Sequence, residues 1–195
     1  MIILLVGASG TGKDSVARVL REKYGFKTVV SWTTRKPREG EIDGVNYHFI
    51  DTETFKQMLY NGAFIEYDKY SGERFYGSVE SDYPLYEDSV AILTPNGVRQ
   101  FTHNVSRKDY YIVYLQSPLS VKCCRYIERE KSSFNIDNLW ELTRRSIADG
   151  EMFRSFEEIA DLCIENNEET TIEEIADKIY DNAKFTLDLK SVLEN

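Results

Sequence analysis

Apolar residues recur along this chain in two rhythms, and each points to a different element. Ile2–Val6 is a short unbroken apolar run that stops at Gly7, the pattern of a strand covered on both faces. Behind it Val16, Ala17 and Leu20 return on one side of a helix expected over about 13–23, and Gly25 suits its end. Residues 28–31 are β-branched and brief, which predicts a second strand. Further apolar runs at 90–93, 110–115 and 162–165 are separated by helical segments. The last helix opens on Thr171-x-x-Glu174, a capping box, and places Ile172, Ile175, Ala176, Ile179 and Ala183 at helical spacing. Buried strands alternating with helices predict an α/β chain with a parallel sheet and right-handed crossovers.

Between 32 and 86 the texture changes. Residues 32–45 are polar and carry Pro37, Gly40 and Gly44, as a loop does. Residues 47–50 read as a strand, and Asp51 is placed to cap a helix whose Phe55, Met58 and Leu59 share a face before Asn61-Gly62 stops it. Residues 64–69 and 75–77 read as hairpin strands around Ser71-Gly72. The expectation is a core of 1–31 and 87–195 interrupted by a small mixed insertion at 32–86.

Composition narrows the function classes. A chain of 195 residues with 42% hydrophobic and 29% charged residues can bury a core without disulfides or metals and is not wholly disordered. Its longest apolar run, residues 1–6, falls far short of the ~20 needed to span a bilayer and lacks the basic leader of a secretory signal. Cys123, Cys124 and Cys163 are odd in number and show no C-x-x-C spacing, which argues against a disulfide framework or a zinc site and for a cytoplasmic setting. A formal charge of −9 disfavours nucleic acid and anionic membranes as partners, but not small phosphorylated ligands. The basic residues are also bunched: Arg35, Lys36 and Arg38 fall together, and a second group runs from Arg125 to Arg145.

Gly7-Ala8-Ser9-Gly10-Thr11-Gly12-Lys13 fits G-x-x-x-x-G-K between a predicted strand and a predicted helix. Its glycines let backbone N–H groups curl round the phosphates of ATP, Lys13 reaches the β and γ oxygens, and the helix start adds a favourable dipole. Where a hydroxyl usually follows the lysine to hold Mg²⁺, this chain has Asp14; Ser15 lies one helical step, about 100°, further round. Asp14 is either a hard oxygen ligand for Mg²⁺ or a helix cap. Arg35 and Arg38, three apart in a loop stiffened by Pro37, can grip a second phosphate with forked hydrogen bonds, and Tyr47 and Tyr76 offer neutral donors.

Ser31-Trp32-Thr33-Thr34-Arg35-Lys36-Pro37-Arg38-Glu39-Gly40-Glu41, continuing through Gly44-Val45-Asn46-Tyr47-His48-Phe49, fills every fixed position of S-x-T-T-R-x-P-R-x-G-E-x-x-G-x-x-Y-x-F. With the phosphate loop, and with Phe64-Ile65-Glu66-Tyr67 and Tyr76-Gly77-Ser78, the chain resembles the guanylate kinases, P-loop nucleoside monophosphate kinases. The resemblance implies a P-loop parallel sheet flanked by helices, a monophosphate-binding insertion and a helical lid at about 125–145. It implies that Ser31, Arg35, Arg38, Tyr47 and Tyr76 hold the phosphate of GMP, with Glu41 in the inner shell of that site. Glu66 would accept from guanine N1–H and the amino group while Ser78 donates to the carbonyl, a pattern that adenine mismatches.

The chain also departs from the family. A strand end that typically reads D-x-D-x-Q-G is here Ile92-Leu93-Thr94-Pro95-Asn96-Gly97, so both acidic positions are lost and Thr94 is left as a weaker acceptor for the base. Arg125-Tyr126-Ile127-Glu128-Arg129 resembles the family's R-L-x-x-R, and Arg144-Arg145 follows on the next helix. Lys13, Arg125, Arg129 and Arg145 are thereby the implied catalytic set, with Asn166 near the adenine; the plainer reading of the arginines is a solvated helix face. The implied reaction moves the γ-phosphoryl of ATP, with Mg²⁺, to GMP or dGMP. No general base is required, because a phosphate monoester has its second pKa at about 6. Two alternatives stand beside it: a (deoxy)nucleoside monophosphate kinase with altered base preference, and a non-catalytic guanylate-kinase-like interaction module.

Overall fold

A computed structural model describes the chain except for residues 71–73, 85, 108, 132–133, 168 and 194–195. Among the described residues, a five-stranded sheet runs in the order β2-β7-β1-β8-β9, from β1 (Ile2–Val6), β2 (Lys27–Thr28), β7 (Ser89–Ile92), β8 (Tyr110–Gln116) and β9 (Leu162–Glu165). All its pairings are parallel. Successive side chains of β1 serve opposite cores, as the two-residue period of a strand dictates. Ile3 and Leu5 pack with Val16 and Leu20 of α1 (Lys13–Tyr24) and with Ile175 and Ile179 of α6 (Ile172–Leu193). Leu4 and Val6 pack on the other face with Val98 and Phe101 of α3 (Pro95–Asn104) and with Phe153 and Phe156.

Local signals act where the sequence places them. Gly25 adopts φ +77° and closes α1, its N–H reaching the carbonyl of Arg21. Asp51 accepts from Thr54 N at 2.8 Å to start α2 (Thr52–Tyr60). Thr171 and Glu174 exchange the two bonds of a capping box at the head of α6. Two strands are shorter than their apolar stretches suggest. Strand β2 ends at Thr28, although Val29 still donates to Val90 O, because the chain turns there toward a second sheet. The strand expected at 47–50 narrows to β4 (His48–Phe49), with Tyr47 left outside it.

That second sheet, in the order β4-β3-β6-β5, joins β3 (Trp32–Thr33), β4, β5 (Phe64–Tyr70) and β6 (Arg74–Val79). Strand β3 pairs parallel with β4 and antiparallel with β6, so the sheet is mixed. The hairpin's turn at Ser71-Gly72 lies outside the described residues; its arms pair antiparallel, Tyr67 facing Gly77 and Asp68 facing Tyr76. Phe55 of α2 is fully buried, its ring 4.4 Å from that of Phe64. Gln100 of α3 donates to Tyr67 O at 2.7 Å and accepts from Tyr67 N, tying β5 to the main body. The remaining helices, α4 (Leu119–Glu130) and α5 (Ile136–Met152), stand over the end of the sheet where β1 runs into the glycine turn. Among the described residues, no helix is long and apolar enough to cross a membrane.

Candidate active site

The glycine turn between β1 and α1 is shaped by contacts that exclude other residues. Gly10 and Gly12 sit at φ +86° and +94°, in the left-handed region that favours glycine. Gly7 passes so close to β8 that an added Cβ would lie 2.3 Å from Leu115 O. Lys13 folds over the turn and donates to Gly7 O at 2.7 Å and Ala8 O at 2.9 Å. Burial holds its ammonium below the usual lysine pKa, a cost that a bound polyphosphate would relieve. Thr11 is buried and donates to Ala8 O.

Behind the turn stands a brace. Asn166, also buried, donates from Nδ2 to Thr11 O at 2.8 Å and accepts at Oδ1 from Arg125 Nη2. Arg125 Nη1 donates to Gly10 O at 3.1 Å. Arg125 and Asn166 therefore contact the loop's backbone rather than the wall of the main cavity. Asp14 occupies the exposed first turn of α1, whose N-cap is Gly12 with no side-chain cap bond, so Asp14 does not serve as the cap. Ser15 faces a neighbouring groove on the outer side of α1.

Opposite the turn, Glu41 organises the arginine loop. Its carboxylate takes a two-pronged bond from Arg35, both arms at 2.8 Å, and a third from Arg38 N at 2.7 Å. Arg35 is buried, and its guanidinium lies 5.2 Å from the ring centre of Tyr47 and 5.6 Å from that of Phe49. Burial lowers the pKa of Arg38, and the positive charges of Arg35 and Arg129 lower it further. Three cationic side chains are thereby gathered within electrostatic reach of one another.

Helices α4 and α5 contribute the remaining charge. Tyr126, where the family pattern carries leucine, is buried between Arg129 and Arg145, whose guanidinium carbons lie 5.1 and 5.7 Å from its ring centre. Glu141 of α5 accepts from Arg145, Arg144 and Arg74, and burial is outweighed by these arginines, which hold its pKa at about 2. Arg74 belongs to β6, so this carboxylate bridges the second sheet and α5. Sequence reasoning missed Arg74; its signal is a cation two strand positions before Tyr76, hence on the same face.

At the far end Glu66 is buried, and desolvation, with the Asp68 charge adding, raises its pKa to about 7 against the bond from Ser78. Ser78 Oγ donates to Glu66 Oε1 at 2.7 Å, lies 2.8 Å from Tyr83 OH and is fully buried behind Glu66. Tyr83 was not singled out in the sequence either. Glu66 Oε2 would be 2.4 Å from a Cβ on Gly97, so this glycine makes room for the carboxylate.

These groups meet in one cavity of about 150 Å³. Its lining brings together Gly7, Ser9, Gly10, Lys13 and Asp14 of the glycine turn, Ser31, Arg35, Arg38, Tyr47 and Tyr76 around the arginine loop, Glu66 and Thr94, and Arg74, Arg129 and Arg145. Among the described residues, no three His, Cys, Asp or Glu side chains gather to hold a metal.

Comparison with known proteins places the chain in a family. A family model described as guanylate kinase matches residues 1–182. A guanylate kinase of Sphingopyxis alaskensis is 47% identical over 76 residues, 38% of this chain and 34% of that protein. One of Histophilus somni is 34% identical over 143 residues, 69% of this chain and 68% of that protein. For several such relatives the matched stretch spans only 34% to 41% of their length. The crystal structure of guanylate kinase from Anaplasma phagocytophilum superposes with a TM-score of 0.69 at 25% identity, covering 96% of this chain and 86% of that one. Because the family match runs from the first strand into the last helix and takes in both the glycine turn and the arginine loop, the chain belongs to the guanylate kinase family.

Proposed function

We propose that this protein transfers the γ-phosphoryl group of ATP to the phosphate of GMP or dGMP, giving ADP and GDP or dGDP. The observation that carries this reading is the shared cavity, in which the glycine turn with Lys13 faces Arg35 and Arg38. Two polyanions repel, and a protein of net charge −9 has concentrated its cations where both would sit. The acceptor oxygen is already ionised near neutral pH, since a phosphate monoester's second pKa is about 6. Catalysis is then alignment and charge neutralisation. Arg35 and Arg38, held by Glu41, orient the acceptor; Lys13, Arg129 and Arg145 meet the charge on the moving group. The insertion at 32–86 and the lid at about 125–145 close over the pair and exclude water, which suppresses hydrolysis of ATP.

A Mg²⁺ ion fits this donor set as one held mostly by phosphate oxygens and water, with Asp14 as the protein's contribution, because no carboxylate cage exists among the described residues. When bound, such an ion would supply positive charge to offset that of the triphosphate. Asp14→Ser should weaken ATP binding in the presence of Mg²⁺ and leave or improve it in its absence, by calorimetric titration; indifference under both conditions removes the metal role. Restoring a carboxylate with Ile92→Asp in that background should recover activity if the two positions are exchangeable. The unpaired cysteines suit a cytoplasmic enzyme that acts on free nucleotides.

A panel tests the whole reading: ADP formation from ATP and Mg²⁺ with each common ribo- and deoxynucleoside monophosphate. Turnover confined to GMP and dGMP is expected. Turnover with another base supports the altered-preference reading that Thr94 raises, and no turnover with any acceptor leaves a binding module.

A further inference from the structure

We propose that Asp68 sets base preference at one remove, by fixing the Thr94 hydroxyl as an acceptor aimed at the 2-amino group of the purine. The inference rests on the guanine-pocket reading above. Asp68 lies two residues after Glu66 on β5, so the two carboxylates share a face of the strand. Thr94 Oγ1 donates to Asp68 Oδ2 at 2.6 Å. The same hydroxyl oxygen accepts from Gly97 N at 3.0 Å, capping α3. Asn96 Nδ2 stands 3.4 Å from Asp68 Oδ1 and helps hold the carboxylate in place.

A hydroxyl carries one proton and two lone pairs. Here the proton is committed to Asp68 and one lone pair to Gly97. The remaining lone pair is all that Thr94 can present to the cavity it lines with Glu66. A threonine without such a partner turns its proton to suit either an acceptor or a donor. With Asp68 behind it, Thr94 is restricted to N–H donors, and the short bond to a carboxylate makes its oxygen a stronger acceptor. Guanine offers its exocyclic amino group at that edge. Hypoxanthine has the same ring without the amino group and leaves the oxygen unpaired. Xanthine presents a carbonyl and repels it. Asp68 does not itself line the cavity, so it is a positioning residue.

Steady-state kinetics with GMP and inosine monophosphate as paired acceptors, at saturating ATP, test this in Asp68→Leu and Asp68→Asn. Asp68→Leu should lower kcat/KM for GMP about tenfold, chiefly through KM, and leave that for inosine monophosphate within about twofold, so that the preference collapses. Asp68→Asn, whose amide oxygen still accepts the Thr94 proton, should keep most of the preference. Thr94→Val and Thr94→Ser repeat the comparison should Asp68→Leu fail to fold, the valine losing the preference and the serine retaining it. An equal fall for both acceptors in Asp68→Leu, or an unchanged ratio, overturns the proposal. Failure of the underlying reading looks different: the parent enzyme would then show no preference for GMP, and Glu66→Gln would leave its use of GMP intact.

Discussion

Replacing Lys13 by alanine is expected to lower kcat by about a thousandfold while GMP affinity stays within a few fold of the parent value. The asymmetry follows from where the ammonium sits. It lies on the glycine turn, bonded to Gly7 O and Ala8 O, on a different segment of the cavity lining from Arg35 and Arg38. A bound triphosphate would draw it off those carbonyls and regain the desolvation cost that now depresses its pKa. That return grows as charge gathers on the transferring group, so the loss belongs in kcat rather than in acceptor binding. Lys13→Met keeps most of the stem that packs on the turn and separates lost charge from lost loop shape. Single-turnover transfer and calorimetric GMP binding, measured side by side, decide the matter; retained turnover in both variants would remove Lys13 from the chemistry.

Glu66→Gln should do two opposite things: cut kcat/KM for GMP by about a thousandfold and make the protein more stable above neutral pH. For the first, guanine presents two N–H donors at this edge, and a carboxylate meets both, whereas an amide meets one and opposes the other with its own NH₂. For the second, burial raises the Glu66 pKa from the ordinary 4.5 to about 7. A carboxyl whose pKa is higher folded than unfolded contributes its stability below the unfolded value and loses it as pH rises through the folded one. Above about pH 7 the native protein therefore carries a buried anion at a cost of about 3 kcal/mol, which glutamine does not incur. Denaturant melts should show the variant ahead at pH 8 and the gap closing toward pH 5. The same proton predicts that KM for GMP rises as pH falls through about 7, an inflection that Glu66→Gln lacks. Parallel melting at both pH values would sink this account of Glu66.

The stability gain explains why a site of this kind needs support from its surroundings. Glu66 is tolerated because Ser78 donates to it and Gly97 leaves it room. Neither contact adds much to a bare fold. On the proposed function, both suit a carboxylate kept in readiness for the base of the acceptor nucleotide.

Much of this protein was legible in one dimension. The strand–turn–helix around residues 7–13 and the capping residues Asp51, Thr171 and Glu174 act over a few positions, and their chemistry is contiguous in the chain. Alternation along β1 and helical spacing in α6 encode burial directly, so the order and class of elements followed from them. The arginine pair around Pro37, which lines the same cavity as the glycine turn, was legible for the same reason.

What the chain order could not decide is which polar group takes which partner. Glu41 was placed beside a phosphate and is found clamping the arginines that would grip it. Arg125 and Asn166, which the family resemblance assigns to nucleotide, brace the backbone of the turn across 115 and 155 residues of sequence. Arg74 and Glu141 join the second sheet to α5, and Asp68 reaches Thr94 from another element. Periodicity reports whether a side chain is covered, because covering is a property of its own position on a helix or strand. A hydrogen bond between distant residues depends on how two elements dock, and that is settled only when the whole chain has packed.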